Sequence, residues 1–468
     1  MNKKTIIIIG GGPAGMMAAI RAGQICREEA FMAEEDHLAK DTTLLEATPK
    51  ADVILIEKNP ALGKKLLLTG KCRCNLTNAC SVETLLGEFR KNGRFLRTAL
   101  NTFSNTDLMQ FFEDRGLPLK IERQSRVFPA TDMSVSVLEV LKKELAANKV
   151  RIVYNTQVKD ILVQDNQIKG VLLMEKAANQ QRIEDREQFY QEQGLTEILC
   201  DRVIMATGGI SYGWTGSTGD GFEIAQRLGH RIIPLRAGLV PLKIKGHYPK
   251  LLEGLTLKNI QLVFKYGKHQ ITSEVGELLF TDFGISGPLI LSLSGQIVDW
   301  LDENEKNEKN EKNEKGKTIS VSIDLKPGMS YEQLDARFLR EFNANPKKSI
   351  RSILKFFLPQ RMVDVFMEIA GISQDKQANQ INKDERCRLA ALFKGLQLEV
   401  IGALPVEQAM ITQGGISLKD INPQTMESCI VSGLYFAGEI VDVDANTGGF
   451  NLQASFSTGY LAGESAAI

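Results

Sequence analysis

The 468-residue chain lacks net charge: 57 Lys and Arg balance 57 Asp and Glu. That balance gives no bulk field for nucleic acid, an anionic membrane or a polyanionic substrate. It lacks any apolar run near the roughly 20 residues that span a bilayer. Its 7 cysteines are odd in number and irregularly spaced, which excludes a secreted disulfide scaffold. The four histidines (His37, His230, His247, His269) are scattered, no zinc-ligand spacing occurs, and no metal site is expected. No nucleophile elbow is present either. Lys3, Lys4 and the apolar Ile6–Ile9 imitate a signal peptide, but Gly10–Pro13 cut the apolar stretch short. These absences describe a soluble, cytoplasmic protein of several domains.

What is present starts at the amino end. Thr5–Ile9 is a short β-branched apolar run, the mark of a strand buried on both faces of a parallel sheet. Gly10-Gly-Gly-Pro13-Ala14-Gly15 follows, and then a small-residue helical pattern. The spacing is G-x-G-x-x-G. Gly10 allows the tight turn, Gly12 lets a pyrophosphate reach the backbone, and Gly15 lets helix and strand pack closely. A second buried strand over 52–57 ends in Glu57, placed to accept from a ribose hydroxyl, with Lys58 beside it. Its distance from the turn exceeds the usual spacing, which is explained by a polar surface insertion at about 25–50. As a plain alternative, Glu57 is a polar strand end.

Residues 150–173 alternate as a hairpin or meander turning at Asp165-Asn166, followed by a charged excursion at 175–196. Short β-like runs fill about 232–323 and predict an antiparallel domain. Inside it, Asn304–Lys315 is a run of Asn-Glu-Lys triplets with no apolar face, expected to be a low-complexity loop. Residues 331–398 read as helical. Gly433–Gly438 reads as a strand again and Asn451–Ala467 as a closing small-residue helix.

Val203-Ile-Met-Ala206-Thr207-Gly208-Gly209 and Leu434-Tyr-Phe-Ala-Gly438-Glu439 resemble the returning strands of two-dinucleotide-binding-domain flavoproteins. More narrowly, four stretches resemble the BaiN/YhiN-type bacterial FAD-dependent flavoprotein family, which includes enzymes described as aminoacetone oxidases. They are 62–78, 208–221, 280–288 and 438–453. The resemblance departs from the family at Cys72, where Gly is usual, and at Gly213, where Pro is common. It implies an α/β fold: a split Rossmann-like FAD-binding domain with an inserted antiparallel β domain and a small helical domain. The expected boundaries are 1–232 with 414–468, 233–325 with 404–413 (its loop at 303–315), and 326–403.

The resemblance also implies roles. Gly10, Gly12, Pro13, Ala14 and Gly15 would hold the pyrophosphate, Glu57 the adenosine ribose, and the Val158 main chain the adenine, with Lys58 also among the cofactor-binding residues. Ala206, Thr207 and Gly208 would line the cofactor, and Gly438 with Glu439 would hold the ribitol. Arg73 would offset pyrophosphate or reduced-flavin charge, against the plainer reading of a loop salt bridge. Cys74 and Asn75 lie in the same loop, where Asn75 either bonds the ribitol or ring or closes an Asx turn. Gly449, Asn451, Leu452 and Gln453 would sit by the ring at the last helix start. Gly216–Gly221 either lines a substrate cavity or caps the following helix through Asp220. Tyr212 is a candidate for substrate contact, or a core position; Cys74 is the other catalytic candidate.

The implied activity is hydride transfer between a small organic substrate and FAD, completed by NAD(P)H as a transient donor or by oxygen, as an NAD(P)H-dependent reductase or an amine oxidase. One alternative is thiol/disulfide chemistry at Cys72 and Cys74. Another is a flavin-sensing regulatory or nucleic-acid-binding protein, for which the basic cluster Lys347, Lys348, Arg351, Lys355 and Arg361 is the sequence feature. That cluster reads more plainly as a solvated helix face, and the expected partner is a small molecule, with no nucleic acid and no membrane. Oligomeric state leaves no trace in the sequence.

Overall fold

The computed structural model describes residues 4–35, 51–175, 195–310 and 318–468. The chain divides into two units: Met1–Arg236 with Met410–Ile468, and Ala237–Ala409. The boundaries thus fall at 236/237 and 409/410, against 232/233 and 413/414 expected.

The first unit is built on a five-stranded parallel sheet. Lys4–Ile9 lies at its centre, flanked by Ala51–Ile56 and then Arg151–Val153 on one side, and by Arg202–Met205 and then Leu434–Phe436 on the other. Ile6, Ile7 and Ile8 are fully buried, as the central strand of a covered parallel sheet requires. Strand order reverses direction at the central strand, so the crevice at the carboxyl ends of the strands is where such sheets bind ligands. Two helices, Pro13–Glu35 and Phe450–Ala467, pack backbone to backbone there. A Cβ on Gly459 would lie 2.3 Å from the Ala14 carbonyl oxygen, so only glycine permits this approach. Thr156–Gln164, Gln167–Glu175 and Leu195–Leu199 form the expected meander, with its turn at Asp165-Asn166 in the left-handed region.

One expectation about a polar segment changes here. The first helix runs on to Glu35 with Ile25 and Cys26 buried, so the insertion begins after the helix and not at residue 25. The remainder of that insertion, and 176–194 of the other, lie outside the described residues.

In the second unit six antiparallel strands close on themselves. Thr256–Tyr266 pairs with Gly276–Phe280 on one side and Ile319–Asp324 on the other; Gly284–Ser286, Leu242–Ile244 and Leu396–Ala403 complete the ring. The helices Tyr331–Ala344, Ile350–Leu354, Gln360–Ala370 and Lys383–Lys394 share one core with this barrel, Phe338, Phe366 and Phe393 being fully buried. The helical segment is therefore not a separately cored domain. Residues Pro288–Asn310 form a long helix where short strands were expected. Ile290, Ser294 and Ile297, at helical spacing, are fully buried. The Asn-Glu-Lys repeat prolongs that helix up to Asn310, contrary to a loop from 303. Glu and Lys are good helix formers, and extending an existing helix avoids the cost of nucleation.

One buried titratable group braces the first unit. The His230 Nδ1 donates to the Ala225 carbonyl at 3.0 Å, which leaves Nε2 to accept from the Ser428 hydroxyl at 2.7 Å. Burial lowers its pKa from the usual 6.5. The unfolded chain therefore binds a proton first, and stability present above pH 6.5 is lost as pH falls below it. Urea titrations at pH 7.5 and 5.5 are expected to show a drop in unfolding free energy, which His230→Gln reduces.

Candidate functional site

A cavity opens at the carboxyl ends of the parallel strands. Its wall runs from the glycine turn through Glu57 and Lys58, past Thr156–Val158, Ala206–Gly208 and Gly216–Ser217, to Gly438, Glu439 and Ser455. The glycine turn, Ala206–Gly208 and Ala437–Glu439, from three distant parts of the chain, meet because each follows a strand end. Gly10 N–H donates to the Ile56 carbonyl, Ala206 N–H to Ile9 and Ala437 N–H to Met205.

The three glycines have separable tasks. Gly10 has φ +107°, a left-handed backbone. A Cβ on Gly15 would stand 1.9 Å from the Gly10 carbonyl oxygen, so glycine lets the helix start against the strand. A Cβ on Gly12 would meet no atom within 4 Å, and its face is open to the cavity. The N–H groups of the first helical turn point to that space with the positive end of the helix dipole, a setting for phosphate.

Glu57 is buried, 8% exposed, and its carboxylate is held by the Gly11 N–H, the Asn59 N–H and the Asn59 Nδ2, each at 2.8 Å. Lys58 Nζ donates to Asp220 at 2.8 Å and to Thr218 at 2.6 Å, and Gln157 donates to the same Asp220 carboxylate. Asp220 thus does not cap its helix; the cap position is Gly219, with no side-chain bond. At the other end, Glu439 accepts from Lys65 Nζ at 2.6 Å, the Thr412 N–H at 2.7 Å and the Ser211 hydroxyl at 3.2 Å. The Thr207 hydroxyl, buried beside the cavity, has no hydrogen-bond partner.

Several expected contacts are spent elsewhere. Arg73 does not line the cavity: its guanidinium stacks on Phe128 and is held by Glu122 and Asp132; it keeps the Glu122 carboxyl below its usual range, and Lys120 together with Arg73 does the same for Asp132. The loop salt bridge is therefore the correct reading. The Asn451 side chain closes on Ala445, accepting from its N–H and donating to its carbonyl, both at 2.9 Å. Gln453 is fully buried and bonded to Thr77, Phe103 and Ser457, so its amide is not available to a ring. Leu452 packs on the core. Asn75, with its amide set to suit its neighbours, accepts from the Gly449 N–H and so braces the last helix start. Tyr212 lies outside the cavity, half-buried edge-on to Trp214.

Cys74 is fully buried and burial pushes its thiol up to about 12, whereas Cys72 is exposed. A thiolate at Cys74 is therefore disfavoured, which removes the basis for a redox pair and for a catalytic Cys74. Iodoacetamide at pH 8 is expected to label Cys72 without loss of flavin reduction; loss in step with labelling would restore the thiol reading. Cys72 has φ +68°, a left-handed backbone that glycine adopts without strain.

Sequence reasoning missed Asn59, Lys65, Ser211 and Thr412. Lys65 lies in the 62–78 stretch and Ser211 in the 208–221 stretch; Thr412, on the strand Ile411–Ile416, carries no signal. Among the described residues no group of acids, cysteines and histidines is placed to hold a metal, and no helix is long and apolar enough to cross a membrane.

Residues 42–465 match the HI0933-like protein Rossmann domain family. The chain belongs to that family. It is 30% identical to a 3-dehydro-bile acid Δ(4,6)-reductase of Clostridium scindens, covering 100% of this chain and 99% of that one. It is 28% identical to a ribosomal RNA dihydrouridine synthase of Haemophilus influenzae, over 97% and 96% of the two chains. Among solved structures, a 3-ketosteroid-Δ4-(5α)-dehydrogenase of Rhodococcus jostii RHA1 aligns at 15% identity over 100% and 98% of the chains, with a TM-score of 0.46. This family member is an FAD-dependent oxidoreductase. The cavity fits such a cofactor: an open glycine face at a helix start, an unpartnered hydroxyl, and a carboxylate at each end.

Proposed function

We propose that this protein reduces a carbon–carbon double bond conjugated to a carbonyl, with a nicotinamide as the electron donor. The observation that carries this reading is a shared bond. A 3-keto-4,6-diene and the uracil ring differ in size and polarity, yet each presents an alkene polarised by a carbonyl, and full-length relatives are named for reducing the one and the other. FAD, when bound, supplies a hydride for such an alkene.

The chain's own residues bind and orient. The Gly10–Gly15 turn offers N–H groups to the pyrophosphate, Glu57 accepts from the ribose, and the Val158 main chain meets the adenine. Glu439, neutralised by Lys65, faces the ribitol. The glycine-started helix at Phe450 would turn its positive end toward a bound ring and so would favour added negative charge there. A second glycine turn of the same type is lacking in the sequence, so the nicotinamide would bind transiently.

Anaerobic NADH or NADPH is expected to bleach the flavin absorption, and a steroid dienone or a uridine-containing RNA to restore it. Bleaching by aminoacetone but by neither nicotinamide would overturn this in favour of an amine oxidase.

A further inference from the structure

The zero net charge of the chain hides a local asymmetry. Residues 345–361 hold Lys347, Lys348, Arg351, Lys355 and Arg361 and no acid. The structure sorts these cations. Arg351 is paired with Asp364, with Asp375 also acting on it, and Arg361 donates to the Glu253 carbonyl. Lys347, Lys348 and Lys355 remain exposed. Lys355 acts at longer range on Asp364, already occupied by Arg351.

Next to Lys355 comes Phe356, 60% exposed and the one exposed phenylalanine among the described residues. Its neighbour Phe357 is buried against Phe338 and Phe393. The contrast follows from helical spacing: Ile350, Ile353, Leu354 and Phe357 face the core, which turns Ser352, Lys355 and Phe356 to solvent. The segment is held firmly. Ser349 caps the helix, Ile350 N–H donates to Lys376, and the Lys348 carbonyl accepts from Ala378. The backbone that carries Lys347, Lys348, Lys355 and Phe356 is thus held before any partner arrives.

An exposed ring among cations fits a single-stranded nucleic acid: a base stacks on the ring, and phosphates on either side meet the lysines. An acidic peptide would use the lysines and leave the ring unemployed. We propose that Lys347, Lys348, Lys355 and Phe356 form a docking surface for single-stranded RNA. This rests on the RNA branch of the proposed reaction, and it assigns the substrate of that branch a tethering surface.

The test uses the full-length FAD-loaded protein and a labelled uridine-rich single-stranded RNA, with affinity read by fluorescence anisotropy at several salt concentrations. Log affinity should fall with log salt at a slope of about −2 for three phosphate contacts. The triple variant Lys347→Glu, Lys348→Glu, Lys355→Glu should bind at least tenfold more weakly with a flatter slope. Phe356→Ala should lose about tenfold with the slope kept. Both variants should retain FAD and turnover of a steroid dienone. Variants that bind as tightly as the parent would overturn the docking surface alone. A parent that binds no RNA would overturn the RNA branch as well. Equal affinity for duplex RNA with no effect of Phe356→Ala would overturn the stacking surface.

Discussion

Gly15→Val is expected to yield a protein that retains no FAD and melts well below the parent. The first side-chain atom would stand 1.9 Å from the Gly10 carbonyl oxygen and 3.1 Å from its carbon. Both are main chain in the turn itself, so relief requires the helix to move off the strand. Overpacking of this kind costs about 1–3 kcal/mol, and more where backbone must shift. The displaced helix start would also carry its N–H groups away from the pyrophosphate. Gly12→Ala provides the contrast, since its methyl meets nothing within 4 Å. That variant should melt like the parent without cofactor and bind FAD more weakly, because the methyl occupies space the phosphates need. The measurements are the flavin-to-protein absorbance ratio and the melting temperature of apo and loaded forms. A Gly15→Val protein with full flavin content and an unchanged melting temperature would refute the assigned packing role.

The second large effect is expected at Glu439. Its carboxylate satisfies Lys65, Ser211 and the Thr412 N–H together, with about a fifth of each partner of the ion pair still exposed (21% for Lys65, 19% for Glu439). Truncating one member of a fully buried pair costs about 3–5 kcal/mol. The residual exposure reduces this to about 1–3 kcal/mol for Glu439→Leu, because water can reach the stranded ammonium. Glu439→Gln keeps an acceptor for Thr412 and should lose less. The double variant Lys65→Met, Glu439→Leu should recover part of the stability without recovering FAD affinity. Urea denaturation of the apo forms reads the first quantity and flavin retention the second. If the double variant regained both, the pair would be structural only, with no part in holding the cofactor.

These two sites differ in how far the sequence announces them. The glycine turn is legible because its constraints are local. A buried strand, a backbone that must turn at positive φ and a helix that must start at once act within six residues, and few residue types meet them. The cavity residues at strand ends, Glu57, Ala206–Gly208 and Gly438–Glu439, are legible for the same reason. A buried β-branched run names its own carboxyl end. Lys65 is a different case. A lysine on a short helix has many partners open to it, and only the approach of Thr412 and Ser211 makes it the counter-ion of Glu439.

The errors have the same origin. Arg73, Asn451 and Gln453 are polar residues in the right loops, and the sequence places them correctly along the chain. Which hydrogen bonds they make depends on Glu122, Ala445 and Phe103, set by how separate segments pack. The long helix at Pro288–Asn310 was misread because its apolar run suits either period, and a closed barrel beside it decided for the helix. The basic segment at 345–361 shows the converse. Its charge was plain in the sequence, but which cations were already paired, and which phenylalanine faced water, was decided only by the fold.

By itself, then, the sequence determined the parallel sheet, the glycine turn and the carboxylates at the ends of the cavity, because backbone sterics and burial act between near neighbours. The tertiary structure alone decided the partners of the polar side chains, the closure of the barrel and the free face of the helical segment. Those depend on which distant segments come within a few ångströms, and a hydrogen bond or an ion pair has no longer reach than that.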